Sequence, residues 1–411
     1  MNWQFNKNST FEFSFIHLET NRFQPISHFV LNKRFIFSLY IVMALITGVK
    51  QYSKGSFNNY LIFTHTFWHS VQQSPLYESY PKKYGDTNHY GPVFAMVIAP
   101  FALLPDAIGT SLWNAANALV LCIGIYSLPL SLKNRSIIAL ICAHEALTAM
   151  FSYQFNVGLT GLILLSFSYI VKQENIKTAF VIALGTLIKL YGIVGLAFFF
   201  FSRKKWILIP AGIISLAFLI ILPSVLSSPA FVMQSYEDWY FSLSQKNALN
   251  ASLTSMQDIS VMGFVRRVMQ DATIPNYPFL LMGLIFFALP YLRINQYQYL
   301  GFRLMLLASV LIFTVIFSSG SESPTYIIAF AGVAIWFITQ AYPKNKGVIA
   351  LFIFAFLLTS MSASDLFPKF VRETYVKPYS LKALPCIIIW ITIIYQMLTI
   401  DFKKHKFSNH E

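Results

Sequence analysis

The stretch His-Tyr-Gly-Pro-Val-Phe-Ala-Met-Val-Ile-Ala-Pro-Phe-Ala-Leu-Leu-Pro, residues 89–105, decides how this chain is read. Its apolar run, 91–104, has about 14 residues at ~1.5 Å each, too short for a hydrocarbon core of ~30 Å. Prolines stand at both of its ends, Pro92 and Pro105. The run that follows, 108–128, is long enough to cross. Read this way, 91–104 is an interfacial or re-entrant helix and 108–128 is a membrane span.

Composition makes the membrane reading compulsory. The 411 residues are 56% hydrophobic and only 11% charged, and a water-facing surface cannot be covered from so few charges. Backbone groups in lipid must bond internally, so the apolar runs are helices. The expected fold class is all-α: one polytopic membrane domain, 1–411, with about 10–12 transmembrane helices plus the interfacial one.

The net charge of +14 does not indicate nucleic acid. The cations sit in short clusters between apolar runs: Lys33-Arg34, Lys133/Arg135, Lys172/Lys177, Arg203-Lys204-Lys205, Arg293, Lys344/Lys346 and Lys403-Lys404-Lys406. Such clusters mark cytoplasmic loops. They place both tails, 1–34 and 401–411, in the cytoplasm, and two long loops, 49–105 and 227–277, on the outer side. A conflict in the parity of crossings arises at 178–202, where one apolar stretch joins two cytoplasmic clusters. Two short helices meeting near Lys189 resolve it. A single tilted span is the alternative.

The three cysteines, Cys122, Cys142 and Cys386, fall inside apolar runs without ligand spacing, which argues against disulfides and zinc. There is no Gly-rich phosphate loop, no Asp-x-Asp pair and no His/Asp/Glu cluster, so neither a metal nor another cofactor is expected.

The polar residues that could carry chemistry concentrate in the expected outer loops. Asp86 and Glu78 can take a proton from an attacking hydroxyl; their bland alternative is a solvated loop acid near Lys82 and Lys83. His89 and Tyr90 precede the interfacial helix and are candidate sugar or acceptor contacts, though aromatics there are ordinarily anchors. Gln154 and Asn156 suit sugar hydroxyls or simple capping. Lys189 interrupts an apolar run and could face a phosphate. Arg266 and Arg267 offer fork-shaped donors for one. Glu145 lies mid-span, where an ionisable group needs a cavity or partner, and it counts with Glu322, Asn58 and Asn59 among the candidate sugar or acceptor contacts. Glu322 opens a helix, which capping also explains.

With those residues in view, the chain resembles glycosyltransferase family 87 of the GT-C superfamily, the polyprenol-phosphate-mannose-dependent α-1,2-mannosyltransferase-like enzymes. The pieces are Pro75-Leu76-Tyr77, Tyr90-Gly91-Pro92-Val93-Phe94, Ala99 to Pro105, Leu112-Trp113-Asn114, Gln154-x-Asn156, Lys189-Leu190-Tyr191, Arg203-Lys204-Lys205, Asn250-x-Ser252-Leu253 and Arg266-Arg267, in family order across roughly 35–340. The resemblance implies an inverting hexosyltransferase, mannosyltransferase-like, that uses a polyprenyl-phosphate sugar donor and a lipid or glycan acceptor. It further implies the outer face of a bacterial plasma membrane, with membrane lipids as the remaining partner. Relatives place a catalytic Asp early in the first outer loop, where this chain reads Ser56-Phe57-Asn58-Asn59-Tyr60. An amide cannot serve as that base, so either Asp86 or Glu78 takes the role, or the activity is altered or absent. The rival reading is a secondary transporter or flippase for an anionic lipid or sugar, gated by Glu145 and Lys189.

Overall fold

The computed structural model describes residues 29–407 and Asn409. Most of the expected N-terminal tail, 1–28, and residues 408, 410 and 411 of the C-terminal tail lie outside the described residues. Helices dominate throughout, and the described residues form no strand, only a single isolated bridge between Ala341 and Phe407.

Among the described residues, five helices are long and apolar enough to cross a membrane: Lys33–Ser53, Asp106–Ser127, Lys205–Val225, Lys346–Ala363 and Leu381–Thr399. Six shorter apolar helices accompany them: Asn156–Val171, Asn175–Ile188, Leu190–Phe201, Tyr277–Leu292, Leu300–Ile316 and Ser323–Ile338. The chain is therefore a polytopic all-α membrane protein. Burial separates an inner set from an outer set. Asn156–Val171, Leu300–Ile316 and Tyr326–Ile338 are buried on nearly every face, whereas Lys205–Ile221 leaves Ile209, Ile213, Ile214, Phe218 and Ile221 exposed. A helix apolar all round and uncovered by protein is one whose solvent is lipid.

The run 91–104 forms the short helix Phe94–Ala102, too short to span, as its length requires. It packs on the helix Asn58–Gln72, which composition reads as loop. That helix interleaves His65, His69 and several hydroxyls with apolar residues, so its hydropathy is low. Its Tyr60, Phe63 and Phe67 are nonetheless buried. Phe63 meets Tyr90, Phe94 and Trp113 edge-on at centroid distances of 4.9, 5.0 and 6.0 Å, and this aromatic block holds the loop against the bundle. The second expected loop, 227–277, is likewise largely helical, with Pro229–Asn250 and Val261–Met269. Ser228 caps the first of these by accepting the Phe231 N–H at 3.3 Å, with Pro229 in its first turn, the ordinary start signal of a helix.

The stretch through Lys189 breaks as the parity argument requires. Asn175–Ile188 ends at Lys189, whose backbone is extended (φ −150°, ψ 125°), and the tight helix Leu190–Phe201 begins there. The two halves fold back on each other. A Cβ on Gly192 would lie 2.1 Å from the backbone of Gly185, so the crossing is closer than any side chain permits. The tip of this hairpin carries Lys189 to the loop before Phe94, where the Gly91 N–H donates to the Ile188 carbonyl at 3.1 Å.

Candidate active site

Lys189 at the hairpin tip and Asp86 in the loop before Phe94 line one cavity of about 310 Å3. Of the residues singled out from sequence, Asn59, His89, Tyr90, Gln154 and Glu322 line it too. The elements that deliver them are separated in sequence but converge on the hairpin tip.

The wall on the Lys189 side is a directional relay. The Lys189 ammonium donates to Asn156 Oδ1 at 2.8 Å. Asn156 Nδ2 donates to Gln154 Oε1 at 2.7 Å, and Gln154 Nε2 donates to Glu322 Oε2 at 2.9 Å. The other Glu322 oxygen accepts from Gln257 Nε2 at 3.0 Å. A cation is thus joined to an anion through two amides, each polarised in the same sense. Lys189 stands over the rings of Tyr191 and Tyr90, at 5.0 and 5.7 Å from their centroids. Of its three N–H donors the relay occupies one. Desolvation lowers its pKa to about 8, with Glu322 pulling the other way. The ammonium is therefore costly to keep charged without an anion, and an incoming anion would repay that cost.

Asp86 lines the same cavity. Its Oδ1 accepts the Thr87 N–H at 2.8 Å, and Lys246 lies 3.6 Å from Oδ2. Half of the side chain remains exposed, so the carboxylate is open to a ligand. The loop is held from outside by Asn58, whose Oδ1 accepts the Gly85 N–H at 2.7 Å. Asn59 donates to the Ser152 carbonyl at 2.8 Å. The two asparagines therefore brace the site. His89 bonds Ser242 through Nδ1 at 3.0 Å, and desolvation, with Lys246, lowers its pKa to about 4. At neutral pH it is an uncharged donor and acceptor. The Tyr90 hydroxyl accepts the Phe155 N–H at 3.2 Å, which makes that residue chiefly a packing and cation–π surface.

Three expectations are corrected. Arg266 and Arg267 do not reach the cavity. Arg266 forms a buried pair with Asp258 at 2.5 Å and donates to the Ile274 carbonyl and to Asn276. Arg267 places its five N–H groups on the carbonyls of Leu253, Ser255, Gln257 and Asp258 and on Ser380. Arg267 has no donor left for a phosphate, and Arg266, which keeps one N–H of five, is buried away from the cavity; they brace the loop that presents Gln257 to Glu322. Glu145 is not a sugar contact either. It is fully buried and pairs with Lys382 at 2.7 Å, and Lys382 also donates to Ser323. Glu78 is exposed and lies outside this cavity, on the neighbouring one. The pairing of Glu145 with Lys382 and of Lys189 with Asn156 also removes the two-residue gate that a transporter reading needs.

Sequence reading missed Lys246 and Asn247, because both lie on Pro229–Asn250 inside an expected loop. The Ser228-Pro229 start signal was the clue to that helix.

A sequence model of glycosyltransferase family 87 matches residues 88–319, more than half of the chain. The chain belongs to glycosyltransferase family 87. The family 87 match takes in His89, Gln154, Asn156, Lys189 and Lys246, while Asp86 falls just before it and Glu322 just after. Among curated proteins no match is found. As a family 87 member the protein is a membrane glycosyltransferase, and GT-C architecture is consistent with its helices.

The buried Glu145–Lys382 pair yields a stability prediction. Removing one partner of a buried ion pair leaves an uncompensated charge and costs about 3–5 kcal/mol, whereas replacing both with apolar residues is often near neutral. Lys382→Ala should lower the thermal unfolding midpoint in detergent far more than the double variant Glu145→Leu/Lys382→Met. Equal losses would show that the pair contributes only as packing.

Proposed function

We propose that the protein transfers a hexose, mannose-like, from a polyprenyl-phosphate donor to a hydroxyl of a lipid or glycan acceptor, inverting the anomeric carbon. The observation that carries this reading is the single cavity lined both by Lys189, with free donors, and by Asp86, an accessible carboxylate. The acceptor oxygen attacks the anomeric carbon as its proton passes to Asp86. The bond from that carbon to the phosphate oxygen breaks, and its electron pair leaves with the phosphate. Lys189 stabilises the charge that develops there, which is the effect preorganised cations supply. Gln154, His89 and Asn59 orient sugar hydroxyls, while Asn156, buried and outside the cavity lining, holds Lys189 rather than a sugar.

The cation clusters support an outer-face site in a bacterial plasma membrane with both termini cytoplasmic, because they fall at the opposite ends of the helices from the cavity loops. The test is transfer from radiolabelled polyprenyl-phosphate sugars by the purified protein in lipid nanodiscs. Absence of transfer from every such donor sinks the proposal.

A pH dependence follows from Lys189. Its pKa of about 8 means that the empty site loses its cation as pH rises through 8, and bound phosphate raises that pKa by opposite charge. Polyprenyl phosphate should bind tightest below pH 8 and weaken by up to about tenfold per pH unit above it. Calorimetry in buffers of differing ionisation enthalpy should also show proton uptake on binding near pH 8. Affinity that is flat from pH 7 to 9 would remove Lys189 from the phosphate site.

A further inference from the structure

A second cavity, of about 380 Å3, adjoins the first. Asp86, Thr87, His89 and Lys246 line both, so these four side chains form a shared wall. A base must touch the acceptor hydroxyl while the donor carbon approaches from the other side. Asp86 on a wall between two chambers meets that geometry, with the donor phosphate at Lys189 on one side and the acceptor on the other.

The lining of the second chamber narrows what can occupy it. Glu78, Asp86 and Asp238 present three carboxylates to it against one ammonium, Lys246, which Asp86 already engages at 3.6 Å. Glu78 makes no hydrogen bond or ion pair among the described residues, and Asp238 uses only Oδ1, accepting from Gln234 at 3.0 Å. The chamber therefore holds unengaged carboxylate oxygens and is net acidic, three carboxylates against the one ammonium of Lys246; its histidine, His89, is neutral at pH 7. Tyr77 and Phe241 add two ring faces. Tyr77 is fixed because its hydroxyl donates to the Tyr90 carbonyl at 2.9 Å, so it offers a ring face rather than a polar group. Carboxylates beside aromatic faces suit the hydroxyls and C–H face of a pyranose, and they repel a ring that bears a negative charge.

We propose that this second chamber is the acceptor subsite and that it selects a sugar without an anionic substituent, binding an amino sugar more tightly than a neutral one and excluding a uronic acid. The proposal rests on the transferase reading above. The test is saturation-transfer NMR at pH 7 on the full chain in phosphatidylcholine nanodiscs, with methyl glucosaminide, methyl glucoside and methyl glucuronide as probes. The affinity order should run in that sequence, at least about tenfold between its ends, and the double variant Glu78→Gln/Asp238→Asn should abolish it. Equal or stronger binding of the glucuronide, persistence of the order in the double variant, or binding of none of the three overturns the proposal. Unchanged binding of polyprenyl phosphate by the double variant shows that it is folded. Failure of wild type to bind polyprenyl phosphate would instead count against the transferase reading, so the two failures are distinguishable.

Discussion

Asp86→Asn should lower kcat for sugar transfer by about 10²–10⁴-fold, the usual worth of a positioned general base. The substitution is nearly isosteric. The amide oxygen can still accept the Thr87 N–H, Asn58 still holds Gly85, and the side chain is half exposed, so the fold should be unaffected. What is lost is the capacity to take the acceptor proton. The loss should fall on kcat, with donor binding retained, because the donor phosphate is assigned to Lys189 and not to Asp86. Glu78→Gln makes the informative partner. That carboxylate lines the second chamber and not the first, so its change should raise the acceptor KM and leave kcat. Full activity in Asp86→Asn would show that another group is the base.

The second large effect is expected at Lys189. Lys189→Met keeps the aliphatic stem against Tyr90 and Tyr191 but removes the ammonium. Loss of one preorganised group that stabilises developing charge costs about 10²–10³-fold in kcat. Here the phosphate also loses ground-state attraction, so binding of polyprenyl phosphate should weaken in parallel. The relay to Glu322 should survive in part, since Gln154 and Asn156 bond each other and Glu322 without Lys189. Wild-type affinity for polyprenyl phosphate in this variant would place the phosphate elsewhere.

Much of this site is visible in the sequence because polar residues in an apolar chain are conspicuous. Lys189 breaks a hydrophobic run, and the break it marks is a real hairpin tip. Gln154 and Asn156 stand at the start of a buried helix, and Asn156 becomes the residue that holds Lys189. Arg266 and Arg267 are equally conspicuous and yet belong elsewhere. A guanidinium in an expected loop reads the same whether it faces a ligand or is spent, like Arg267, on four carbonyls and a hydroxyl. Lys246 failed to stand out for the opposite reason, since it sits among other polar residues on a helix with little amphipathic contrast.

By itself the sequence determined the environment and the local conformations. An apolar fraction of 56% with 11% charge admits only lipid as solvent, and lipid admits only internally bonded helices for these runs. Run length also made 91–104 a short helix rather than a span. Tertiary structure alone decided which polar groups share a space. Lys189 meets Asn156 across 33 residues and Glu145 meets Lys382 across 237. Hydropathy and periodicity describe a residue's neighbours along the helix, whereas the partner of a buried charge is fixed by how the helices pack. That packing drew Glu145, Arg266 and Arg267 into structural pairs and left Asp86 and Lys189 facing one cavity.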